Sequence, residues 1–415
     1  MTTRTRGVAA SEWPNQLQTS PYLTLVRPGK SARVIYVTDT RGPEYPELSP
    51  PTTGAVFGVI GLDRSVVWHD SHHALLALES AALDPVDTTY LVAEYGRRTI
   101  GDLMAREWLQ APSSLCTEYR LLTAQIEVTA HCNWGCQFCP VAADPKPRET
   151  MSMPLFGEII DKLKPHTNIR FVTFHFFNEP TLDPHFEDRV RLLAESGLKL
   201  SLSTNLSALT PGKIKLLTDT GVLHHLVVNL PSENDVEFQR LTGSRTLTIS
   251  QRNLERAIEA GWPITIAVNG TGDDLRRNVR KLRERYSARG VEVRPTLTCD
   301  RAGAVGGHYN QAVHITGRLR GCSWPLNHAY FSVRGDLFIC CNDYYQREVY
   351  GNIRDGTLHD VMVHPRAVKL RRRVFGVEDA PKDYICRTCH DQELDFPHRQ
   401  FRPVATFPIS AAPDE

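Results

Sequence analysis

The stretch Cys132-Asn-Trp-Gly-Cys136-Gln-Phe-Cys139 decides how this 415-residue sequence is interpreted. Its three cysteines have the spacing C-x3-C-x2-C and directly follow a short apolar segment that predicts a strand at 125–129. Three thiolates on one tight loop can hold three irons of a [4Fe–4S] cube and leave the fourth iron without a protein ligand. A zinc site is the alternative, with the adjacent His131 as the fourth ligand. The spacing therefore predicts a metal centre at the end of the first strand of a sheet.

Outward from this loop, apolar segments rich in β-branched residues alternate with helical patterns. Strands are predicted at 125–129, 171–175, 198–202, 226–230, 264–268 and 291–297. Helices are predicted at 154–163 (capped by Ser152), 185–195, 211–217, 236–260 (interrupted near Gly243) and 273–286. Six such repeats imply a parallel sheet, either open or curved into a partial barrel. Chemistry gathers at the carboxyl ends of the strands of such sheets.

The cysteine spacing, with Phe138 before the third cysteine, resembles the signature of the radical S-adenosylmethionine (SAM) enzyme family. The resemblance implies that Cys132, Cys136 and Cys139 hold a [4Fe–4S] cluster whose open iron is chelated by SAM. It also implies an electron donor such as flavodoxin or ferredoxin, because reduction cleaves SAM. The 5′-deoxyadenosyl radical so formed abstracts a hydrogen atom from the substrate.

Polar residues at further strand ends match positions where the family contacts SAM. Glu179 matches the carboxylate that accepts hydrogen bonds from the SAM ammonium group, although Phe177 and Asn178 replace the two glycines that the family has before it. Taken alone, each of these residues fits an ordinary loop or a strand-end cap equally well. The resemblance implies SAM-contacting roles for Phe138, Asn178, Glu179, Ser203, Thr204, Asn205 and Asn229.

A second cysteine set lies near the C-terminus. Cys322 precedes a predicted hairpin that turns at 334–336 and ends at Cys340, and Cys386-x2-Cys389 follows. The set resembles the SPASM/Twitch extension of radical SAM enzymes, which implies one auxiliary [4Fe–4S] cluster held by these four thiolates. Cys341 could replace Cys340 as a ligand, and a structural zinc ribbon is the alternative. Haem attachment at 386–390 would need an oxidising compartment, which nothing here indicates.

Cys299 stands alone after the sixth predicted strand, where a side chain would face the reaction space. A thiol there could deliver a hydrogen atom to a substrate radical, as in radical SAM epimerases. The alternative is a small buried hydrophobic residue. We therefore name Cys299 as a candidate catalytic hydrogen donor.

Composition excludes several classes of protein. The chain has 48 Lys and Arg against 47 Asp and Glu, a formal charge of +1, so a generally basic nucleic-acid binder is excluded. We expect no membrane partner, because no apolar segment could span a bilayer. The first residues lead into no apolar region, so we expect no secretory signal and a cytoplasmic location with reduced thiols. The arginine-rich segments 273–286 and 369–373 are interpreted as solvated helix faces, with an acidic substrate as the alternative.

These observations predict an α/β fold in three parts: an N-terminal accessory region (1–120), which could recruit substrate, a partial (β/α)6 barrel with the radical SAM core (121–305), and a small loop-rich iron–sulfur domain (306–415). The resemblance to radical SAM and SPASM proteins implies the function, hydrogen abstraction from a peptide during natural-product maturation, by oxidation, cross-linking or epimerisation. The first alternative is a dehydrogenase or epimerase of an aminoglycoside, sugar or nucleoside. The alternative from another class is a non-catalytic zinc-binding module.

Overall fold

The structure is a computed structural model that describes residues 13–27, 33–34, 54–60, 66–82, 84–298, 300–305, 314–319, 321–322 and 324–389. The strands are β1 (Gln16–Thr19), β2 (Thr24–Arg27), β3 (Arg33–Val34), β4 (Phe57–Ile60), β5 (Val66–His69), β6 (Val86–Asp87), β7 (Leu109–Gln110), β8 (Thr123–Ile126), β9 (Phe171–Thr173), β10 (Leu200–Thr204), β11 (Leu223–Asn229), β12 (Ile264–Gly270), β13 (Glu292–Leu297), β14 (His328–Phe331), β15 (Asp336–Phe338) and β16 (Val349–Asn352). The helices are α1 (His72–Ser80), α2 (Thr88–Tyr95), α3 (Arg97–Ala105), α4 (Pro140–Ala143), α5 (Met153–Leu163), α6 (Phe186–Glu195), α7 (Pro211–Thr220), α8 (Asp235–Thr242), α9 (Leu247–Glu259), α10 (Gly272–Tyr286), α11 (Trp324–Asn327), α12 (Leu358–Val363) and α13 (Pro365–Val374). None of the helices in these ranges is both long and apolar enough to cross a bilayer.

The six predicted strands are consecutive in one large sheet, from the edge strand β13 to β8. Strands β8 to β13 are parallel neighbours in chain order, and a helix lies between each strand and the next, so the predicted α/β fold is confirmed. Ser152 caps α5 as predicted, accepting a hydrogen bond from the amide of Leu155. The predicted interruption near Gly243 is also present, because α8 ends there on a left-handed residue and α9 begins at Leu247.

The two faces of this sheet differ because successive side chains of a strand point to opposite sides. One face carries Ile126, Val172, Leu202 and their equivalents, which are buried in the main hydrophobic core. The other face is polar. Aligned neighbours on it include Gln125 and Thr173, and the polar row continues across β10. The polar face is therefore available for a functional site.

The C-terminal hairpin continues this sheet. Strand β14 pairs in parallel with β8, and β15 and β16 follow in antiparallel order, so the sheet has nine strands. The joint is ionic as well as hydrogen-bonded. Glu127, which is 1% exposed, accepts hydrogen bonds from Lys146 Nζ at 3.0 Å, Gln346 Nε2 at 2.7 Å and the amide of Val333 at 3.3 Å. The sequence predicts the hairpin but not this pairing with the core.

The N-terminal part has two small sheets of its own, in the strand orders β6-β1-β7 and β3-β2-β4-β5. Its apolar residues form a cluster separate from the main core, in which Phe57 and Val59 of β4 pack with residues of α1 to α3. A second sheet system with its own core agrees with the predicted accessory region, although the boundary at residue 120 stays a prediction.

The interpretation of 369–373 as a solvated helix face is wrong for Arg371. Its side chain is buried, and its guanidinium donates to the carbonyl oxygens of Cys116 at 3.0 Å and Met362 at 2.8 Å. Arginine can be buried in this way because its several N–H donors find carbonyl acceptors. The α10 arginines do lie on the surface, and among them Arg277 pairs with Asp274 at 2.8 Å.

Candidate active site between two cysteine groups

The loop that carries Cys132, Cys136 and Cys139 follows β8 and is fixed by the end of α8. The amide of Gly135 donates to the carbonyl oxygen of Thr242 at 2.9 Å, and the amide of Gln137 donates to that of Leu241 at 3.0 Å. These carbonyls lie in the last turn of the helix, where they have no partner within the helix. The end of α8 therefore orders the loop through backbone contacts alone.

A ring contact adds to this backbone connection. Trp134, within the loop, packs edge-on against Phe238 of α8 with ring centroids 5.0 Å apart. Its indole N–H donates to the hydroxyl of Thr246 at 3.0 Å. Both partners lie more than 100 residues further along the chain, so the loop is part of the tertiary core.

The three thiols of this loop lie close enough to affect one another. Burial raises the pKa of Cys136 well above its ordinary value, and the negative charges of Cys139 and Cys132 raise it further. Burial likewise raises the pKa of Cys132 to about 12. Adjacent buried thiolates need a cationic partner, since burying uncompensated charge is costly. Three thiolates are the donor set that iron–sulfur clusters use, so these residues fit such a cluster.

Two hydrogen-bond donors face the sulfur atoms. The amide of Trp134 donates to Cys132 Sγ at 3.4 Å, and Asn229 Nδ2 lies 3.9 Å from Cys136 Sγ. Asn269 in turn donates to Asn229 Oδ1 at 2.9 Å and so orients it. The sequence analysis did not select Asn269. It directly follows the fifth predicted strand, so the same search for polar residues at strand ends would have identified it.

Glu179 is 1% exposed and lies beside the first cysteine. Its Oε1 accepts from the amide and hydroxyl of Thr181 at 3.0 and 2.5 Å and from Thr204 Oγ1 at 2.7 Å, while Oε2 accepts from the amide of Asn205 at 2.7 Å. Its own amide donates to the carbonyl oxygen of His131 at 2.8 Å. Burial raises its pKa, and these hydrogen bonds oppose the rise. Glu179 thus connects the loop after β9 and the end of β10, through its carboxylate, with the cysteine loop, through its amide.

The other predicted SAM-contacting residues lie in different surroundings. The side chain of Asn178 is turned into its own loop, where it accepts from the amide of Phe176 at 2.6 Å and donates to the carbonyl oxygen of Phe174 at 3.1 Å. Phe138 is buried in the main core. Ser203 is partly exposed on the polar face, and Asn205 Nδ2 donates to Asn133 Oδ1 at 2.9 Å. Their contacts with SAM stay predictions.

Two polar side chains that the sequence analysis did not select lie at the end of β9 and in the segment that leads from it to Glu179. Thr173 Oγ1 and His175 Nδ1 are buried without a hydrogen-bond partner in the structure. Burial lowers the pKa of His175 to about 4, so its ring is neutral at neutral pH. Buried polar atoms without partners are uncommon in folded proteins, and these two mark a place for a bound polar group.

The thiols of the second cysteine set lie near one another. Burial raises the pKa of Cys340 well above its ordinary value, and the negative charges of Cys341, Cys386, Cys389 and Cys322 follow as further causes, in that order. Cys340 therefore lies among all the other thiols of the set. The structure does not choose between Cys340 and Cys341, since both pack against the same aromatic cluster. Cys299 lies outside the described residues.

Comparisons with known proteins identify both halves of this site. The model of the radical SAM superfamily matches residues 126–284, and the model of an iron–sulfur cluster-binding domain, SPASM, matches residues 322–390. The chain therefore belongs to the radical SAM superfamily and carries a SPASM domain at its C-terminal end. Its cofactors are accordingly SAM, a [4Fe–4S] cluster that binds SAM, and an auxiliary cluster. The zinc-binding alternatives are not retained.

Curated relatives are similar over parts of the chain. The tungsten-containing aldehyde ferredoxin oxidoreductase cofactor-modifying protein of Pyrococcus furiosus is 32% identical over 97 residues, which are 23% of this chain. The match spans only about a quarter of that relative, 27%. The S-adenosyl-L-methionine-dependent 2-deoxy-scyllo-inosamine dehydrogenase of Niallia circulans is 20% identical over 275 residues, 64% of this chain and 92% of the relative.

A solved structure is similar over most of the chain. Streptococcus suis SuiB bound to precursor peptide SuiA superposes with a TM-score of 0.54 at 12% identity, over 86% of this chain and 90% of SuiB. At this identity the similarity concerns the fold alone. It agrees with the predicted partial barrel followed by a C-terminal iron–sulfur domain.

Proposed function

We propose that this protein is a radical SAM enzyme that abstracts a hydrogen atom from a peptide substrate during the maturation of a peptide natural product. When bound, SAM and its cluster supply a 5′-deoxyadenosyl radical, which removes that hydrogen. The outcome would be an oxidation, a cross-link or an epimerisation. The likeness in fold to SuiB, a protein solved with a precursor peptide, supports the choice of a peptide.

Within this proposal the residues have distinct roles. Cys132, Cys136 and Cys139 would hold the SAM-binding cluster. Glu179 would position the ends of β9 and β10, and its Oε2, which accepts one hydrogen bond in the structure, retains a lone pair for the SAM ammonium group. Asn229, which contacts Cys136, would orient the cluster loop towards SAM.

The auxiliary site would act after hydrogen abstraction. Cys322, Cys340, Cys386 and Cys389 would hold the auxiliary cluster, which would accept the electron left on the substrate in an oxidation. In an epimerisation the substrate radical needs a hydrogen atom instead, and Cys299 is our candidate donor. An electron donor such as flavodoxin or ferredoxin would start each cycle.

The observation that carries the peptide proposal is a strand edge that no other described strand covers. In the described part of the chain, β5 pairs with β4 and with no other strand, so its outer edge presents backbone amides and carbonyls. Such an edge can bind an extended peptide as an additional strand. Helix α3 lies beside it, because His69 of β5 hydrogen-bonds Asp102 of α3 at 3.3 Å. One part of the peptide would bind to this edge of the accessory region, and another part of the same peptide would reach the cysteine groups.

The direct test uses the full chain, purified and reconstituted without oxygen. A peptide that binds the protein is first selected from a displayed random library. The protein is then incubated with SAM and dithionite, and with either this peptide or 2-deoxy-scyllo-inosamine. We expect about eight irons per chain and release of 5′-deoxyadenosine that the peptide stimulates and the aminocyclitol does not. Stimulation by the aminocyclitol alone would contradict the proposal and support a small-molecule dehydrogenase, which the match over 92% of that relative favours as the second candidate.

Hydrogen–deuterium exchange tests the strand edge separately. The selected peptide should slow exchange of the backbone amides of β5 at residues 66–69, because a paired edge amide is protected from solvent. The amides of β16, which also lies at the edge of a sheet, serve as the control and should exchange at an unchanged rate. Protection at β16 without protection at β5 would contradict binding on the accessory region.

Product mass distinguishes the reaction outcomes. In deuterated water, the product of an oxidation has two hydrogens fewer than the substrate. The product of an epimerisation has gained one deuterium without net oxidation. If an epimerised product forms, Cys299→Ala should abolish its formation. A fully active Cys299→Ala enzyme would exclude Cys299 as the donor.

A further inference from the structure

Arg301 lies between the two cysteine groups in a loop that follows β13. The backbone of Arg301 and of Ala302 is left-handed, with φ of 52° and 53°, a conformation that residues other than glycine rarely adopt. The surroundings must therefore hold this loop in place. Thr388, within the second cysteine pair, donates its hydroxyl to the carbonyl oxygen of Ala302 at 3.2 Å. The auxiliary site thus fixes the backbone that carries Arg301.

The guanidinium reaches both cysteine groups. On the auxiliary side, Arg301 Nη1 donates to Asn342 Oδ1 at 3.5 Å, and Asn342 Nδ2 donates to Cys389 Sγ at 3.4 Å. On the other side lies the SAM-cluster loop. Arg301 Cζ lies 5.9 Å from the centroid of the Phe177 ring, two residues before Glu179, whose amide binds the carbonyl oxygen of His131 next to Cys132. The positive charge of Arg301 also opposes the rise that burial causes in the pKa of Cys139. One side chain therefore lies beside both cysteine groups.

Arg301 also lacks an acidic partner. No carboxylate of the described residues forms an ion pair with it, and its other side-chain contact is with the ring of Phe177, 5.9 Å from the centroid. A partly buried positive charge is normally compensated by a negative one. When the clusters are bound, their thiolate ligands would be the negative groups on the two sides of Arg301.

We propose that Arg301 is a positive charge shared by the two iron–sulfur sites, which holds the reduction potentials of both clusters above the values that they would have without it. An added electron makes a cluster more negative, so a fixed cation nearby stabilises the reduced form. The inference rests on the two cluster sites and is independent of the peptide proposal. Arg301 is in this role a positioning residue that touches no reacting atom in the structure.

Redox titration of the reconstituted full chain, followed by electron paramagnetic resonance, tests this role without any substrate. At a fixed applied potential, Arg301→Gln should lower the ratio of reduced to oxidised cluster about tenfold at both sites, equivalent to ~59 mV for a one-electron couple. Arg301→Lys keeps the charge and should stay within about threefold of the unaltered protein. Arg276→Gln on α10 removes an exposed charge that pairs with Asp273 and should change neither ratio.

Asn342→Leu separates the two sites. It removes the donor to Cys389 Sγ but leaves the Arg301 charge, so the ratio should fall at the auxiliary cluster and stay unchanged at the SAM-binding cluster. Iron content per chain and circular dichroism check that each variant folds and holds both clusters. Unchanged ratios at both clusters in Arg301→Gln, or a change confined to one of them, would overturn the proposal.

Discussion

At the scale of single residues, Glu179 joins three separate parts of the chain. Its carboxylate accepts four hydrogen bonds, from Thr181, Thr204 and Asn205, and its amide binds the carbonyl oxygen that precedes Cys132. A buried carboxylate is stable only when such donors compensate it. Its first effect is therefore on the shape of the site, before any SAM is bound.

We expect Glu179→Gln to destabilise the protein even without cofactors. The side-chain amide N–H of the glutamine would point at an N–H or O–H donor whose hydrogen bond a carboxylate oxygen of Glu179 accepts in the structure. Each buried group left without a partner costs about 1–3 kcal/mol. Thermal unfolding of the apoprotein should show a lowered Tm. The control is Glu187→Gln on the exposed face of α6, which should leave Tm unchanged. An unchanged Tm in Glu179→Gln would mean that the residue serves SAM alone.

At the scale of elements, the end of α8 shapes the first cysteine loop. Gly243 ends this helix with φ of 65°, and a Cβ there would lie 3.2 Å from the carbonyl oxygen of Gly135, inside the cysteine loop. Glycine is needed here both for the left-handed backbone and for the close approach of the loop.

We expect Gly243→Ala to weaken cluster binding. The added methyl group would press on Gly135 and so displace the loop, in addition to a backbone cost of about 1–2 kcal/mol. Gly221→Ala is the matched control, because Gly221 also ends a helix with φ of 58° but a Cβ added there would have no atom within 4 Å to press on. Iron per chain after reconstitution should fall in Gly243→Ala and stay normal in Gly221→Ala. Equal iron retention would contradict the role of the loop contact.

At the scale of the whole molecule, the C-terminal region holds the other parts together. Strand β14 extends the core sheet beside β8, and Arg371 of α13 binds carbonyl oxygens of the segment that joins the accessory region to the core. Both connections join residues more than 200 positions apart. The C-terminal domain therefore stabilises the barrel and its N-terminal connection as well as carrying the auxiliary cysteines.

We expect Arg371→Met to loosen the segment at 112–117. The change leaves the carbonyl oxygens of Cys116 and Met362 without their donor, at a cost of about 2–3 kcal/mol. Limited proteolysis should then cut this segment several times faster than in the unaltered protein. Lys369→Met on the exposed face of the same helix is the control and should be cut at the normal rate. Equal rates in the two variants would show that Arg371 is dispensable for this contact.

Much of the core was predictable because the signals are local. The strand at 264–268, the break at Gly243 and the cap at Ser152 depend on residues within a few positions of one another. The spacing of Cys132, Cys136 and Cys139 is likewise local, and its resemblance to the radical SAM signature implied the cofactor. The approximate ends of the strands followed from the same periodicity, within two or three residues.

The sequence by itself determined the parallel α/β core, the three-cysteine loop and the second cysteine set, because each depends on the spacing of residues that are close together in the chain. Only the tertiary structure decided that β14 joins β8, that Arg371 is buried, and that Arg301 lies between the two sets of thiols. These features depend on contacts between segments far apart in the chain. The sequence does not show whether a given charged residue contacts solvent, a carbonyl oxygen or a thiolate. Burial and partner, which fix the chemical role of such a residue, exist only after the chain has folded.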